Sequence, residues 1–168
     1  SMPKKIIYEV VGIIRYNNKM FSNSSIVLSN DSKFLYSYDE NNNEVKRFKF
    51  ISNWNWYLES DWSIKLKNTN KQKLFISNDD KLISVSENGK HITVYDAKTH
   101  TITNIIPSFL IQSSKVKIAF DGEKYIYFYD KSNNIIYKFD YLNNVTVLFK
   151  DKFYDIDKII CDVDSNLI

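Results

Sequence analysis

Residues Ser29–Leu35 read SNDSKFL, and Ser77–Ile83 read SNDDKLI, 48 positions further along the chain. A third copy, FDGEKYI at Phe120–Ile126, lies 43 positions after the second, and the chain ends on DVDSNLI at Asp162–Ile168. Each copy follows a run of alternating apolar residues, which predicts a strand, a tight polar turn and a second strand. Recurrence at this spacing indicates tandem structural repeats.

The match between the copies continues beyond each turn. A second apolar run, a polar hairpin and a third run follow, and the third run closes on an aromatic residue, namely Phe48, Tyr95 or Phe139. Four short strands in a unit of 42–48 residues is the spacing of β-propeller blades. The sequence therefore predicts an all-β fold built from propeller blades of four antiparallel strands, with about three and a half blades present.

The repeats also divide the chain. We predict blades at 24–72, 73–114 and 115–155, the start of a further blade at 156–168, and an N-terminal strand region at 1–23 that closes the last blade. Ile168 falls in the second strand of its unit, and an open stack of blades would leave an apolar face uncovered. We therefore expect these residues to be the N-terminal part of a longer propeller.

From about residue 24 to residue 168 the units resemble degenerate WD repeats. That family combines an apolar strand, a turn similar to S-x-D-G-K-y-L, a polar hairpin, and a strand that ends in a Trp-Asp pair. Tyr95–Asp96 and Phe139–Asp140 stand at the position of that pair, whereas Phe48–Lys49 lacks the Asp. The Gly-His pair that often opens such repeats is absent. The resemblance implies that the connections between blades lie on a rim that usually binds partners.

Composition narrows the classes of function. The net charge of +3 is spread along the 168 residues, without the clustered basic stripe of a typical nucleic-acid binder. The single Cys161 and the lack of a signal-peptide pattern predict an intracellular protein, cytoplasmic or nuclear, and no apolar run is long enough to predict a membrane span. The chain has no cofactor or metal-binding motif, so we expect no cofactor and no metal.

Aspartates recur at the predicted turns. Short carboxylates accept hydrogen bonds from nearby main-chain amides, so we assign these residues to turn capping rather than to catalysis. They are Asp31, Asp79, Asp80, Asp121 and Asp164.

The first unit is five residues longer than the second, and the excess lies within 53–72, which holds all three tryptophans. Trp54 and Trp56 are two positions apart, so a strand would point both toward one inter-blade core. Trp62 is expected to be an exposed anchor, because tryptophan is enriched at interface hot spots. By the WD resemblance the segments 59–72, 107–114 and 150–155 would share one face. The predicted partner-binding residues on that face are Asp61, Trp62, Phe109 and Tyr154.

Function is predicted mainly from architecture. The leading hypothesis is a non-catalytic scaffold or adaptor that binds a protein or peptide on its rim loops, and not an enzyme. The alternative is an RNA-associated subunit, because Lys, Tyr and Trp are abundant in 47–73. An enzymatic propeller acting on sugars would need converging carboxylates at the central channel, and the sequence gives no sign of them. No small-molecule substrate is evident.

Overall fold

The computed structural model describes residues 13–16, 19–22, 26–52, 55–109, 111–114 and 116–150. In these ranges the chain forms fourteen strands: β1 (Ile13–Tyr16), β2 (Lys19–Ser22), β3 (Ile26–Leu28), β4 (Phe34–Asp39), β5 (Glu44–Ser52), β6 (Asn55–Lys65), β7 (Gln72–Ile76), β8 (Lys81–Ser86), β9 (Ile92–Asp96), β10 (Thr101–Ile105), β11 (Lys117–Phe120), β12 (Tyr125–Asp130), β13 (Ile135–Asp140) and β14 (Val145–Lys150).

Strands β3 to β14 form three antiparallel sheets of four consecutive strands each. The prediction of an all-β fold made of four-stranded blades is confirmed. The second sheet begins at Gln72, which the sequence placed at the end of the preceding unit. The start of the further blade predicted at 156–168 lies outside the described residues.

The N-terminal region was expected to supply a strand to the last blade. Residues 1–12 lie outside the described part of the chain. Ile13–Tyr16 pairs with Lys19–Ser22 as a separate two-stranded hairpin. The pairing of these eight residues is therefore local.

The first strands of neighbouring sheets contact one another, and the fourth strands form the outer edges. β7 lies against β3 and β4. On the other side of β7, the Lys73 ammonium donates to the main-chain oxygen of Ile118 in β11 at 2.8 Å. The Phe75 ring meets Phe120 edge-on, with centroids 5.7 Å apart. The three blades therefore stack side by side around their first strands.

The core lies between the blades, as the alternation of apolar residues requires. One cluster, between the first and second blades, includes Tyr36, Val45, Ile64, Leu74 and Tyr95. A larger cluster, between the second and third blades, includes Ile83, Ile92, Ile126, Phe128 and Phe139. The closing aromatic of each repeat is buried: Phe48, Tyr95 and Phe139 expose 2%, 8% and 0% of their surface. Tyr95 and Phe139 pack in the two clusters between blades, whereas Phe48 packs with Ile26 and Leu35 of its own blade.

Aspartate-capped turns join the strands. Asp39–Asn43, Asp130–Asn134 and Asp140–Asn144 share the pattern Asp-x-x-Asn-Asn. In each turn the carboxylate accepts hydrogen bonds from main-chain amides within the turn. The last Asn adopts positive φ, at 51°, 53° and 55°, which Asn tolerates better than most residues.

Two of the aspartates predicted to cap the repeat turns accept amides of their own turns. Asp121 accepts the amides of Glu123, Lys124 and Tyr125 at 2.9–3.0 Å. Asp31 accepts the amide of Lys33 at 3.0 Å. Asp79 accepts a hydrogen bond from the Ser77 hydroxyl, whereas Asp80 accepts one from the Asn30 side chain of the first blade. Asp164 lies outside the described residues.

Candidate functional site

The first blade departs from the regular pattern in its outer pair of strands. β5 and β6 have nine and eleven residues, whereas their counterparts in the other two blades have five or six. Lys46 pairs with Ser63 and Phe48 pairs with Leu58, so the single Arg47 faces the four residues 59–62. β6 therefore has three more residues here than a regular ladder allows, and they form one wide bulge. Bulges of this kind re-aim side chains and are common beside functional sites.

Arg47 holds the bulge in place. Its Nε donates to Glu59 Oε2 at 2.8 Å, and its Nη2 donates to the same oxygen. The guanidinium carbon lies 4.6 Å from the Phe34 ring centroid and 4.9 Å from that of Trp62. A cation between two aromatic rings is stabilised by the negative ring faces. The Arg47 side chain is therefore fixed by an ion pair and two cation–π contacts.

Trp62 lies between two blades. Its ring centroid is 5.4 Å from that of Tyr36 and 5.5 Å from that of Tyr95 in the second blade. The side chain is half-buried. We expected an exposed anchor, but the bulge returns Trp62 to the inter-blade face that carries Arg47. Residues 59–65 likewise belong to β6 and not to a loop between blades.

The phenol of Tyr36 borders this aromatic cluster. Burial raises the pKa of Tyr36 above its usual value, and the neighbouring Arg47 opposes that increase without cancelling it. The hydroxyl therefore stays protonated and neutral throughout the physiological range.

The bulge and its anchor line an open cavity of about 370 Å³, formed by Arg47, Tyr57, Glu59, Ser60, Asp61 and Trp62. Tyr57 is 56% exposed, and Ser60 and Asp61 are also exposed. Within the described part of the chain, the Asp61 carboxylate has no hydrogen bond or ion pair. Two carboxylates, a hydroxyl and a phenol thus converge beside an indole ring, a set rich in hydrogen-bond acceptors.

The other predicted partner-binding residues lie apart from this cavity. The Phe109 ring stacks on Tyr137 at 4.5 Å and also contacts Phe128 and Phe139, so it covers the core between the second and third blades. Tyr154 and Trp54 lie outside the described residues. Trp56 is half-buried and meets Phe50 edge-on at 5.3 Å. Contact of Asp61, Trp62 or Phe109 with a partner stays a prediction.

Sequence reasoning missed Arg47, Tyr57 and Glu59. The five extra residues of the first unit were the available signal, but length alone does not show which residue on the opposite strand faces the insertion. No three His, Cys, Asp or Glu side chains come together as a metal site among the described residues. In the same part of the chain there is no helix long and apolar enough to cross a membrane.

Comparison with known proteins identifies the fold of this chain. No family model and no curated protein matches the sequence. Solved structures do match. A streptogramin B lyase is 20% identical in sequence and superposes with a TM-score of 0.60, and the match covers 84% of this chain and 45% of that protein. A putative 6-phosphogluconolactonase from Bacteroides fragilis matches at 14% identity with a TM-score of 0.61, over 95% of this chain and 50% of that one.

U3-55K matches at 14% identity with a TM-score of 0.53, over 89% of this chain and 45% of that one. The chain therefore spans about half the length of these proteins. Identities this low show the fold alone. Together with the three four-stranded sheets they place the chain among the β-propellers.

One functional expectation was wrong. We took this architecture to favour a non-catalytic scaffold, with an RNA-associated subunit as the alternative. Blades of this shape occur in proteins named as a lyase and as a putative lactonase, so the architecture does not favour a scaffold over an enzyme. Sequence identities of 14–20% are too low to test the separate prediction that this chain is not an enzyme, which stays a prediction.

Proposed function

We propose that this chain contributes blades to a small-molecule-binding propeller of the enzyme type, and that its ligand occupies the bulge cavity on the first blade. The observation that carries the proposal is the wide bulge, in which Arg47 faces residues 59–62 and fixes Glu59 beside the free carboxylate of Asp61. The names of the similar lyase and putative lactonase support a small-molecule ligand. The cavity volume of about 370 Å³ lies within the range of small-molecule sites.

The charges of the cavity define the ligand that it accepts. Arg47 is neutralised by Glu59, to which both of its hydrogen bonds run. Because Arg47 is neutralised, the Asp61 carboxylate gives the cavity an excess of negative charge and of hydrogen-bond acceptors. Such a site disfavours anions and favours a molecule with many hydrogen-bond donors, whether neutral or cationic. Aromatic rings beside carboxylates suit the apolar faces and hydroxyl groups of a sugar.

We therefore propose a neutral polyhydroxylated ligand, a sugar or a sugar lactone. The putative 6-phosphogluconolactonase is named for a phosphorylated sugar lactone. In this chain a phosphate would meet the negative charge of Asp61, so the unphosphorylated lactone is the expected ligand.

The test uses glucono-1,5-lactone, glucose and glucose 6-phosphate as probes, with binding followed by ligand-observed NMR. Saturation transfer to the two neutral probes, and none to the phosphorylated one, is expected. Asp61→Asn should weaken binding about tenfold, because a charged hydrogen-bond acceptor is lost. Glu123→Gln, an exposed carboxylate in the third blade, is the matched control and should leave binding unchanged.

Two outcomes contradict the proposal. One is that none of the probes binds, and the other is that Asp61→Asn and Glu123→Gln bind equally well. Base uptake during lactone hydrolysis, recorded on the same preparations, separates a propeller that only binds its ligand from one that also turns it over.

We also propose that the repeats are degenerate WD repeats. The support is positional: Tyr95 and Phe139 are buried near the ends of the third strands, and Asp96 and Asp140 accept amide hydrogen bonds from the turns that follow. Tyr95→Trp restores the Trp-Asp pair beside Trp62. It should still fold cooperatively, with the free energy of unfolding lowered by about 1–3 kcal/mol because the larger ring enters a buried position. A loss of the cooperative unfolding transition would contradict this assignment.

A further inference from the structure

Tyr57 presents an open aromatic ring to the bulge cavity. Its side chain is 56% exposed and lines the cavity together with Asp61 and Trp62. In the described part of the chain no other aromatic ring stacks on Tyr57 and no cation lies over it. The ring is therefore free to contact a ligand.

The Trp62 ring, by contrast, is already covered by groups of the protein. The Arg47 guanidinium carbon lies 4.9 Å from its centroid. Tyr36 and Tyr95 contact the same ring, with centroids 5.4 Å and 5.5 Å away. The ring surface that remains for a ligand in the cavity is therefore that of Tyr57.

The strand register places Tyr57 on the face of the sheet that carries the cavity. Tyr57 pairs with Lys49, and directly paired residues point to the same face. Arg47 lies two residues before Lys49, so its side chain points to this face as well. Its contact with Phe34, which also pairs with Lys49, agrees with that orientation. Asp61 reaches the same cavity from the bulge, so a free ring surface and a free carboxylate border one space.

We propose that Tyr57 is the stacking platform of the cavity and that the ligand is a sugar in its cyclic form. The inference rests on the proposed function and adds which form of the sugar is bound. A pyranose ring with equatorial hydroxyls carries C–H bonds on its faces and hydroxyls around its rim. One face packs on the Tyr57 ring and buries apolar area, while hydroxyls of the rim donate charge-assisted hydrogen bonds to Asp61.

The same two contacts separate a sugar lactone from its hydrolysis product. In hydrolysis water adds to the carbonyl carbon, the ring C–O bond breaks, and the acid that forms loses a proton. The product has no ring face to stack on Tyr57, and its carboxylate meets the negative charge of Asp61. The cavity therefore retains the cyclic lactone in preference to the open-chain acid.

Saturation-transfer NMR titrations of the full chain with glucose and sorbitol test the proposal. Both probes are neutral and rich in hydroxyls, but glucose is cyclic in solution and sorbitol is an open chain. Glucose should bind about tenfold more tightly, with the strongest saturation on the C–H protons of its ring. Tyr57→Ala should weaken glucose binding about tenfold, because the ring surface is lost. Tyr57→Phe keeps that surface and should bind glucose within about twofold of the parent.

Phe50→Ala is the matched control. Phe50 is 40% exposed on the same pair of strands but follows Lys49, so it points to the opposite face from Tyr57, and its loss should leave the affinity for glucose unchanged. A parent protein that binds no glucose overturns the proposed function and the platform with it. The platform alone is overturned if sorbitol binds as tightly as glucose or if Tyr57→Ala binds glucose as the parent does. It is also overturned if Tyr57→Phe is as weak as Tyr57→Ala, since the contact would then belong to the hydroxyl group.

Discussion

The side-chain amide of Asn30 in the first blade donates a hydrogen bond of 2.8 Å to the main-chain oxygen of Ser77 in the second. The same nitrogen lies 2.6 Å from Asp80 Oδ1. In the next pair of blades the link is made by the backbone, because the amide of Asn78 donates to Gly122 O at 2.7 Å. The repeated turns therefore fasten each blade to its neighbour in addition to setting the local chain direction.

Asn30→Asp should destabilise the protein more than Asn30→Ala. The aspartate turns a donor into a charged acceptor that faces Asp80 and the Ser77 oxygen. We expect losses of about 1 kcal/mol for alanine and about 2–3 kcal/mol for aspartate in the free energy of unfolding, measured by urea denaturation. Asn55→Asp, at an exposed position in β6, is the control and should cost little. Equal losses for Asn30→Asp and Asn55→Asp would contradict the role of Asn30 as a link between blades.

Asp130 is expected to make the free energy of unfolding depend on pH in the acidic range. It is fully buried, and burial alone would raise its pKa. Hydrogen bonds from the Ser113 hydroxyl at 2.5 Å and the Gln112 amide at 3.1 Å outweigh burial, so the pKa of Asp130 lies below the usual 3.8. The folded state holds this proton less tightly than the unfolded state. The stabilisation is therefore complete above about pH 4 and is lost as the pH falls through the lowered pKa.

Asp130→Asn tests that pH dependence. At pH 7 it should lower the free energy of unfolding by about 2 kcal/mol, since the charged acceptor is lost while its donors stay in place. Between about pH 4 and pH 2 the stability of the parent should fall more steeply than that of the variant. Asp96→Asn, whose carboxylate accepts one exposed amide, is the control. Parallel stability curves for the parent and Asp130→Asn would refute the role assigned to this carboxylate.

Gly89 should tolerate substitution less well than Gly122. Both have positive φ, at 71° and 87°. A Cβ at position 89 would lie 2.6 Å from Ile111 Cδ1, whereas one at 122 would meet the Asn78 side chain at 3.0 Å. We expect Gly89→Ala to cost about 3 kcal/mol and Gly122→Ala about 1–2 kcal/mol, because both carry backbone strain but the carbon added at position 89 comes closer and crowds the buried side chains of Ile111, Val116 and Phe128. Thermal unfolding with both variants in parallel checks this order, and the reverse order would contradict it.

Removing the bulge should leave the blade intact. Deletion of 59–61 places Trp62 opposite Arg47 and restores a regular ladder between the Lys46–Ser63 and Phe48–Leu58 pairs. The side chains of Trp62 and Arg47 already share a face. We expect a cooperatively folding protein whose stability is within about 2 kcal/mol of the parent, since one ion pair is lost and a strand is regularised.

The same deletion removes the cavity and should therefore abolish sugar binding. Calorimetry and the NMR assay together check both expectations. Unfolding of the first blade on deletion would show that the bulge is structural, and the Asp61→Asn comparison would then remain the test of binding.

The sequence predicted the features that arise within a single repeat. Alternating apolar residues predicted strands, and the aspartates at Asp31 and Asp121 predicted capped turns, because both depend on residues only a few positions apart. The closing aromatics Phe48, Tyr95 and Phe139 were found from spacing alone, and each is buried. The sheets of four consecutive strands follow from the same local signals.

Only the tertiary structure decided the candidate site. Whether Trp62 faces solvent or the core depends on the register between β5 and β6 and on Tyr95 of the next blade. A shift of one residue in that register would move every side chain to the opposite face. The sequence shows that the first unit holds five extra residues. The pairing of Arg47 with Glu59, and with it the cavity, becomes visible only when the strands are laid side by side, because hydrogen bonding across a sheet leaves no trace in local periodicity.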